Sequence, residues 1–417
     1  MDNTTAIPLH KKFYMYNLVT KKNLILSAFL CFGLFLSSSL KAQFTINSDS
    51  AFNAGTPNTG RLWGYSFADF FYKGHSDTLN RGGGNQYTGI PKGRNAFQIR
   101  RLYLGYNYNI SKKFSAEVLL EASNGATSGD ALTDNKLAFY IKLANLRIKD
   151  IWKGTDLVLG QVPPPGFVTS SEPIWGYRSI EKTIIDNRGT PSFDLGASLQ
   201  GKFDPKKGNF GYDVMVGNGT GAKAEGDKYK WLYGDIWGKF LDKKLYVNLY
   251  MDYNRMDPIS GKQHSRSMIK GFVAYTIPKI TIGVEAYSNR LQNDNQATEI
   301  ATGNVDLLTV QAKGISIFTH GPIVKDKLNF FARFDALNPD NKIDNGKYNK
   351  YVGNTGGFND PSTKEQFITA GLDFTPIKSV HLMPNIWYTK YTNHGFASKY
   401  DSYDLSYRLT FYYIFGK

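Results

Sequence analysis

The stretch YDLSYRLTFYYIF, residues 403–415, places a large apolar or aromatic side chain at every second position. The alternate positions are mostly polar and include Asp404, Ser406 and Arg408. Because successive side chains of a β-strand point to opposite faces, this pattern predicts a strand with one apolar and one polar face. In a soluble sandwich the apolar face would lie in the core, whereas in a transmembrane barrel it would contact lipid. The rest of the chain decides between them.

The N-terminal region has the order of a secretory signal. Two lysines precede an apolar run at residues 24–40, and the small residue Ala42 follows. We predict that residues 1–42 are a signal region cleaved after Ala42 and that residues 43–417 form one domain. An N-terminal membrane anchor is the alternative, but the run lacks a stop-transfer flank. The single cysteine, Cys31, lies in this run, so the mature chain relies on neither disulfides nor zinc-thiolate sites.

The charge of the chain limits its partners. The formal net charge of +15 falls to +11 without residues 1–42, because five Lys and one Asp are removed. This excess favours anionic partners. The basic residues are spread evenly along an exported chain, which argues against a nucleic-acid partner. Beyond the N-terminus there is no apolar run of about 18 residues, so a membrane-spanning body would have to be a closed barrel.

Period-2 alternation bounded by Gly, Pro, Asn and Asp predicts about sixteen strands. In SFDLGASLQGK, residues 192–202, the side chains of Phe193 and Leu195 oppose those of Asp194 and Ser198. The predicted strands are 61–72, 97–108, 114–121, 136–146, 155–162, 192–202, 209–217, 229–240, 244–253, 267–277, 280–289, 306–318, 327–337, 365–374, 379–389 and 403–415.

The connections between these strands alternate in length. Even-numbered strands are followed by short links such as NISKK and TPIK, and odd-numbered strands by long polar loops. An outer-membrane barrel has short periplasmic turns and long external loops, whereas a soluble sandwich gives no reason for this alternation. We therefore predict an all-β, antiparallel transmembrane β-barrel of about sixteen strands, which is wide enough for an aqueous channel. Interfacial girdles are predicted from aromatic residues near strand ends, namely Trp63, Tyr65, Trp387, Tyr388, Tyr412 and Tyr413.

The segment NAFQIRRLYLGYNYNISKKFSAEVLLEASNG, residues 95–125, resembles the early hairpin of the phosphate-selective porin O and P family. The segments at 159–167, 174–187, 193–203 and 214–221 resemble the middle of that family in order and spacing. The resemblance implies a homotrimeric, sixteen-stranded porin in outer-membrane lipid, with small anions such as phosphate as solutes. One departure is that Gly416 and Lys417 follow the phenylalanine that would usually end such a barrel.

Selectivity is predicted to lie in the lumen. By resemblance to porins, the long loop at residues 163–191 would fold inward and narrow it, and basic side chains in a constricted path select anions. The candidates are Arg178, Lys182 and Arg188 in the loop and, by strand parity, Arg101, Lys142, Lys202, Arg333 and Arg408. The same parity places Glu117, Glu121, Asp194, Asp252, Glu285 and Asp335 inside. The alternative for each basic residue is a structural ion pair, such as Arg408 with Asp404 or Arg333 with Asp335.

The sequence thus predicts an outer-membrane porin for passive diffusion of small solutes, with a preference for anions. It predicts no catalytic, cofactor or metal site. A barrel that serves as an adhesin or receptor with a closed lumen is the alternative. A barrel hydrolase would need Ser and His aligned at one rim, and the histidines of the mature chain are scattered, without a nucleophile elbow.

Overall fold

The computed structural model describes residues 57–79, 81, 90–123, 138–183, 186, 191–342, 344–353, 363–393 and 401–416. The predicted signal region and Arg188 lie outside these residues, so both stay predictions. Within the described ranges, no helix has the length and apolarity needed to cross a membrane.

Seventeen strands make up nearly all of the regular structure. They are β1 (Thr59–His75), β2 (Asn95–Asn109), β3 (Phe114–Ser123), β4 (Phe139–Trp152), β5 (Thr155–Val162), β6 (Asp194–Lys202), β7 (Phe210–Gly217), β8 (Trp231–Phe240), β9 (Leu245–Ile259), β10 (Lys262–Ile277), β11 (Ile280–Glu299), β12 (Val305–Val324), β13 (Leu328–Asn338), β14 (Tyr348–Gly353), β15 (Thr363–Ile377), β16 (Val380–Asn393) and β17 (Ser402–Phe415). Between β5 and β6 lie a π-helical turn, Phe167–Ser171, and the short helix α1, Glu172–Trp175.

Sixteen of these strands form a closed antiparallel barrel. Each pairs with its neighbours along the chain, β13 pairs with β15, and β1 pairs with β17 to close the wall. The prediction of about sixteen strands is confirmed, and every predicted range overlaps one strand of the wall. The additional strand, β14, was not predicted. It lies in the loop after β13 and pairs with the outer end of β11.

The orientation of β17 answers the question raised by its sequence. Tyr407 and Tyr413 face outward with 50% and 47% of their surface exposed, whereas the intervening Arg408 and Thr410 are buried inside. The same pattern occurs elsewhere on the outer surface, where Ile269 is 65% exposed. A continuous apolar exterior of this kind is stable in contact with lipid and unfavourable in water. The barrel is therefore apolar outside and carries many polar and charged side chains inside, the reverse of a soluble protein.

The predicted aromatic girdle is partly wrong. Tyr388 and Tyr413 lie on the outward face, but four of the six residues point inward, namely Trp63, Tyr65, Trp387 and Tyr412. The face that a side chain takes depends on its odd or even position along the strand, and not on its distance from the strand end. Tyr412 shares the parity of Arg408 and packs inside the barrel. Large outward aromatic residues occur elsewhere, as at Phe97, which is 78% exposed.

Two loops that were predicted to be long are instead extended hairpins. The residues between 253 and 267 continue β9 and β10 to a tight turn at Ser260 and Gly261, which have φ of 50° and 74°. Positive φ at both central residues is typical of the turns that join antiparallel strands closely. Similarly, β11 and β12 continue to residues 299 and 305. These segments are polar on both faces, so they lack the alternation that identifies a strand in a membrane.

Candidate functional site

The segment between β5 and β6, residues 163–191, is called the inner loop here. It begins with three consecutive prolines, which cannot continue the backbone ladder of β5. Gly166, with φ of 110°, and Gly176, with φ of 72°, then allow the chain to turn where other residues would be strained. The loop therefore leaves the barrel wall as soon as β5 ends.

The inner loop packs inside the barrel through its own hydrophobic side chains. Trp175 and Ile180 have no exposed surface. The ring of Trp175 lies 5.3 Å from that of Phe318, and the ring of Tyr177 lies 4.5 Å from that of Phe331. Phe318 belongs to β12 and Phe331 to β13, so the loop shares a hydrophobic core with the inner face of the wall.

Basic side chains of the wall hold the backbone of the inner loop. Arg333 donates hydrogen bonds of 2.6 Å to the carbonyl oxygens of Glu181 and Lys182. Lys270, which has no exposed surface, donates a hydrogen bond of 2.7 Å to the carbonyl oxygen of Gly166. Buried carbonyl groups need such donors, and a charged donor makes a stronger bond than a neutral one. These contacts fix the loop against β10 and β13.

Arg100 is a third anchor that parity did not identify. It donates hydrogen bonds to the carbonyl oxygens of Ser179 and Ile180 and forms an ion pair with Asp69. The register between β1 and β2 shifts at this point, because Arg101 lies opposite Phe67 but the next pair skips Arg100. This β-bulge turns both arginines inward. In a regular strand, one of two adjacent residues faces lipid, where an arginine is costly at membrane depth. The adjacent Arg pair in the sequence was therefore itself a signal of a bulge.

Arg408 forms a structural ion pair, as the alternative to a pore role suggested, but its partner is not Asp404 as the example given above had it. Arg408 forms its ion pair with Asp69 on β1, and Asp404 pairs with Lys73 of β1 at 2.6 Å. Residues four apart on one strand are separated by about 13 Å, whereas residues on adjacent strands lie about 5 Å apart. The predicted pair of Arg333 with Asp335, two residues apart on one face, is present at 3.0 Å. Arg333 and Arg408 are thus buried structural cations.

Other predicted residues meet beside the inner loop. Glu121 lies 3.2 Å from Arg101 Nη1 and 2.5 Å from Lys142 Nζ. We call Arg101, Glu121 and Lys142 the constriction cluster. Its cations expose 16% and 12% of their side chains, but Glu121 exposes 2%. The cluster therefore presents positive charge to the lumen and keeps its carboxylate covered.

The loop side of this region carries its own ion pairs. Arg178 lies 3.2 Å from Glu172, and Lys182 lies 3.5 Å from Asp186. Burial alone would raise the pKa of the Glu181 carboxyl group, but Arg178 and other nearby guanidinium groups outweigh it and hold this pKa below its ordinary value. Burial lowers the pKa of Lys182 despite its contact with Asp186.

The accessible part of the lumen lies along one side of the barrel. On the other side, Lys270 of β10 and Asp335 of β13 have no exposed surface, and Lys270 contacts the inner loop at Gly166 and Ser170. Some inward side chains on β3 to β6 remain partly exposed, as for Glu117, Arg147 and Gln200. These three side chains lie towards the short-turn rim, and the partly exposed inward groups farther along this side of the barrel include the cations of the constriction cluster. Lys202, at the end of β6, is exposed near the short-turn rim rather than beside the loop.

The histidines within the described residues contact structural groups. His320 lies 2.9 Å from the carbonyl oxygen of Ile174, and His264 lies 2.9 Å from Asp294. The Nδ1 atom of His381 lies 2.9 Å from Asp373 and 3.4 Å from the Thr375 hydroxyl. In a catalytic triad the carboxylate and the nucleophile contact opposite nitrogens of the ring. This arrangement is therefore not that of a triad.

Comparison with known proteins gives the fold a context. No protein-family model matches the chain, and neither does any curated protein. Among solved structures, the outer membrane channel DcaP of Acinetobacter baumannii is similar over 86% of this chain and 98% of its own, with a TM-score of 0.57 and 13% identity. The anion-selective porin from Comamonas acidovorans is similar over 86% of this chain and 100% of its own, with a TM-score of 0.56 and 12% identity. A trimer form of OmpT, an outer membrane protein of Vibrio cholerae, has a TM-score of 0.53 and 13% identity over 86% of this chain and 100% of its own. The protein therefore has the closed-barrel fold of outer-membrane porins and channels.

Proposed function

We propose that the protein is an outer-membrane porin that allows passive diffusion of small solutes. Three features support this proposal: an apolar exterior, an interior that carries many polar and charged side chains, and an inner loop that leaves some inward side chains of β3 to β6 partly exposed. Export through a signal region cleaved after Ala42 would deliver the chain to that membrane. A homotrimer is part of the proposal, supported by the family resemblance and by the trimer form of the structurally similar OmpT.

We further propose that the channel prefers anions. The observation that carries this is the unequal exposure within the constriction cluster, where Arg101 and Lys142 face the lumen and Glu121 is covered. Lys182 similarly exposes 11% of its side chain against 2% for Asp186. Glu172 is an exception, with 20% exposed. Cations that line a constricted path attract anions more strongly than they would in open water.

The experiment is ion current through the refolded mature protein in a planar bilayer, with the reversal potential measured in a KCl gradient. We expect a steady current with chloride more permeant than potassium. The double variant Arg101→Gln/Lys142→Gln exposes the charge of Glu121 and should shift the reversal potential toward potassium. Lys313→Gln, an exposed position on β12, is the control and should leave it unchanged.

The outcomes separate the alternatives. A channel that prefers potassium would contradict the anion proposal, and a correctly folded protein without current would favour an adhesin or receptor with a closed lumen. Phosphate selectivity is proposed from the family resemblance alone. If the channel is selective for phosphate, added phosphate should block the chloride current at low concentration. If phosphate does not block the current, the protein is a porin without phosphate preference.

A further inference from the structure

Aromatic rings flank the cations of the constriction cluster. Lys142 Nζ lies 4.9 Å from the ring centre of Tyr103 and 5.6 Å from that of Phe193. On one side, the ring of Phe193 lies 6.0 Å from that of Tyr140. On the other side, the ring of Tyr65 lies 4.4 Å from that of Tyr103. Lys142 is thus flanked by aromatic rings as well as by hydrogen-bonding side chains, and Arg101 contacts the hydroxyl of Tyr103.

These rings are not all covered by the core. Tyr65, Tyr140 and Phe193 are partly exposed, and Tyr65 and Phe193 pack on the hydrophobic core that the inner loop forms. Tyr65 and Tyr140 lie at inward positions of β1 and β4, and Phe193 lies beside Lys142, so the remaining surface of these rings adjoins the constriction cluster. An apolar ring surface in a water-filled path is available to a solute that carries an apolar face of its own.

We propose that the channel binds, as it conducts, anions that carry an aromatic ring, of the class of aromatic monocarboxylates. This inference rests on the proposed anion-preferring porin. The carboxylate would take hydrogen bonds from donors of Arg101 and Lys142 that neither Glu121 nor the Tyr103 hydroxyl uses, since a guanidinium has five N–H donors and an ammonium three. The ring of the solute would stack on Phe193 and Tyr140. A compact hydrated anion can use the cations but gains nothing from the rings.

The experiment compares benzoate with acetate, two monocarboxylates that differ by the ring. Each is added to the full-length mature protein in a planar bilayer, and the concentration that halves the chloride current is measured. We expect the concentration of benzoate that halves the chloride current to be about three- to ten-fold lower than that of acetate. This is the difference that one or two ring contacts would produce. Equal concentrations for the two acids would overturn the inference.

Two variants test the residues that carry it. Phe193→Ala removes a ring, and Tyr140→Leu keeps an apolar side chain without a ring face. Both should reduce the benzoate-to-acetate ratio toward one, and the protein should still prefer chloride to potassium because Arg101 and Lys142 are kept. Phe97→Ala, on the outer face, is the matched control and should keep the ratio.

A ratio that survives both ring variants would overturn the inference even if the channel prefers anions. An unchanged protein that shows no preference for chloride over potassium would instead contradict the proposed function. The two failures are therefore distinguishable in the same bilayer recordings.

Discussion

Arg333 connects the barrel wall to the inner loop through three of its nitrogen atoms. Two of them hold loop carbonyl groups, and the third pairs with Asp335. We predict that Arg333→Met lowers the free energy of unfolding by about 3–5 kcal/mol, because it leaves a buried carboxylate without its cation. Urea unfolding in detergent micelles measures this. Lys313→Met removes an exposed cation and should change little, so similar losses in the two variants would contradict the prediction.

Gly160 of β5 occupies a position that only glycine fits. Its φ is 118°, and a Cβ there would lie 2.2 Å from the carbonyl oxygen of Ala144. We predict that Gly160→Ala destabilises the barrel by about 1–3 kcal/mol or prevents closure, because both the backbone and the neighbouring strand would be strained. Gly234→Ala is the control, since the nearest heavy atom to a Cβ there lies 4.0 Å away. Thermal unfolding of both folded variants provides the test.

At this scale, parity predicts the faces of side chains only where pairing is regular. Arg101 and Arg333 lie inside, as period-2 counting places them. Period-2 counting missed Arg100 because the bulge inserts one residue, so that outward positions are odd-numbered before it, as at Phe97, and even-numbered after it, as at Tyr106. Period-2 counting does not identify the partner of Arg408 either. Asp69 is distant in sequence and comes close to Arg408 only when β1 and β17 pair to close the barrel.

Among the elements, the inner loop depends most on charge. The pKa of Glu181 lies below its ordinary value in the folded protein, so ionised Glu181 stabilises the fold above the unfolded pKa of about 4.3. That stabilisation is lost as the pH falls through the folded pKa. We predict that Glu181→Gln lowers the thermal midpoint at pH 7 and that the difference from the unchanged protein shrinks as the pH is lowered below about 4.

The control for this pH series is Glu299→Gln, near the outer tip of β11, where the carboxylate pairs with the exposed Lys347. This variant should follow the unchanged protein at every pH, since exposed pairs contribute little. A difference for Glu181→Gln that stays constant with pH would show that the effect is one of packing rather than charge.

Strands and loop were predictable to different degrees. The strands within the membrane carry an apolar face, which the sequence displays directly. The outer ends of β9 to β12 are polar on both faces, so only their backbone pairing identifies them as strands. The inward position of the loop at 163–191 was predicted from resemblance, because its anchors on β2, β10 and β13 come from distant parts of the chain.

For the whole molecule, the orientation in the membrane can be tested at two turns. Ser260 and Gly261 end the β9–β10 hairpin on the side of the long loops, and Asp242 lies in the β8–β9 turn at the opposite rim. We predict that an epitope inserted between Ser260 and Gly261 is labelled by antibody on intact cells. The same epitope inserted after Asp242 should be labelled only after the outer membrane is permeabilised. The reverse labelling would contradict the predicted orientation.

The shared core of the inner loop and the wall has a consequence for assembly. The loop contacts β2 near one end of the chain and β16 near the other, through Arg100 and Met383. A loop with bulky rings can reach these positions more readily while the sheet is still open than after its first and last strands have joined. Docking of the loop would then bring the two ends of the chain towards each other. The segment that narrows the finished pore would thus also act during folding, as a template on which the cylinder closes.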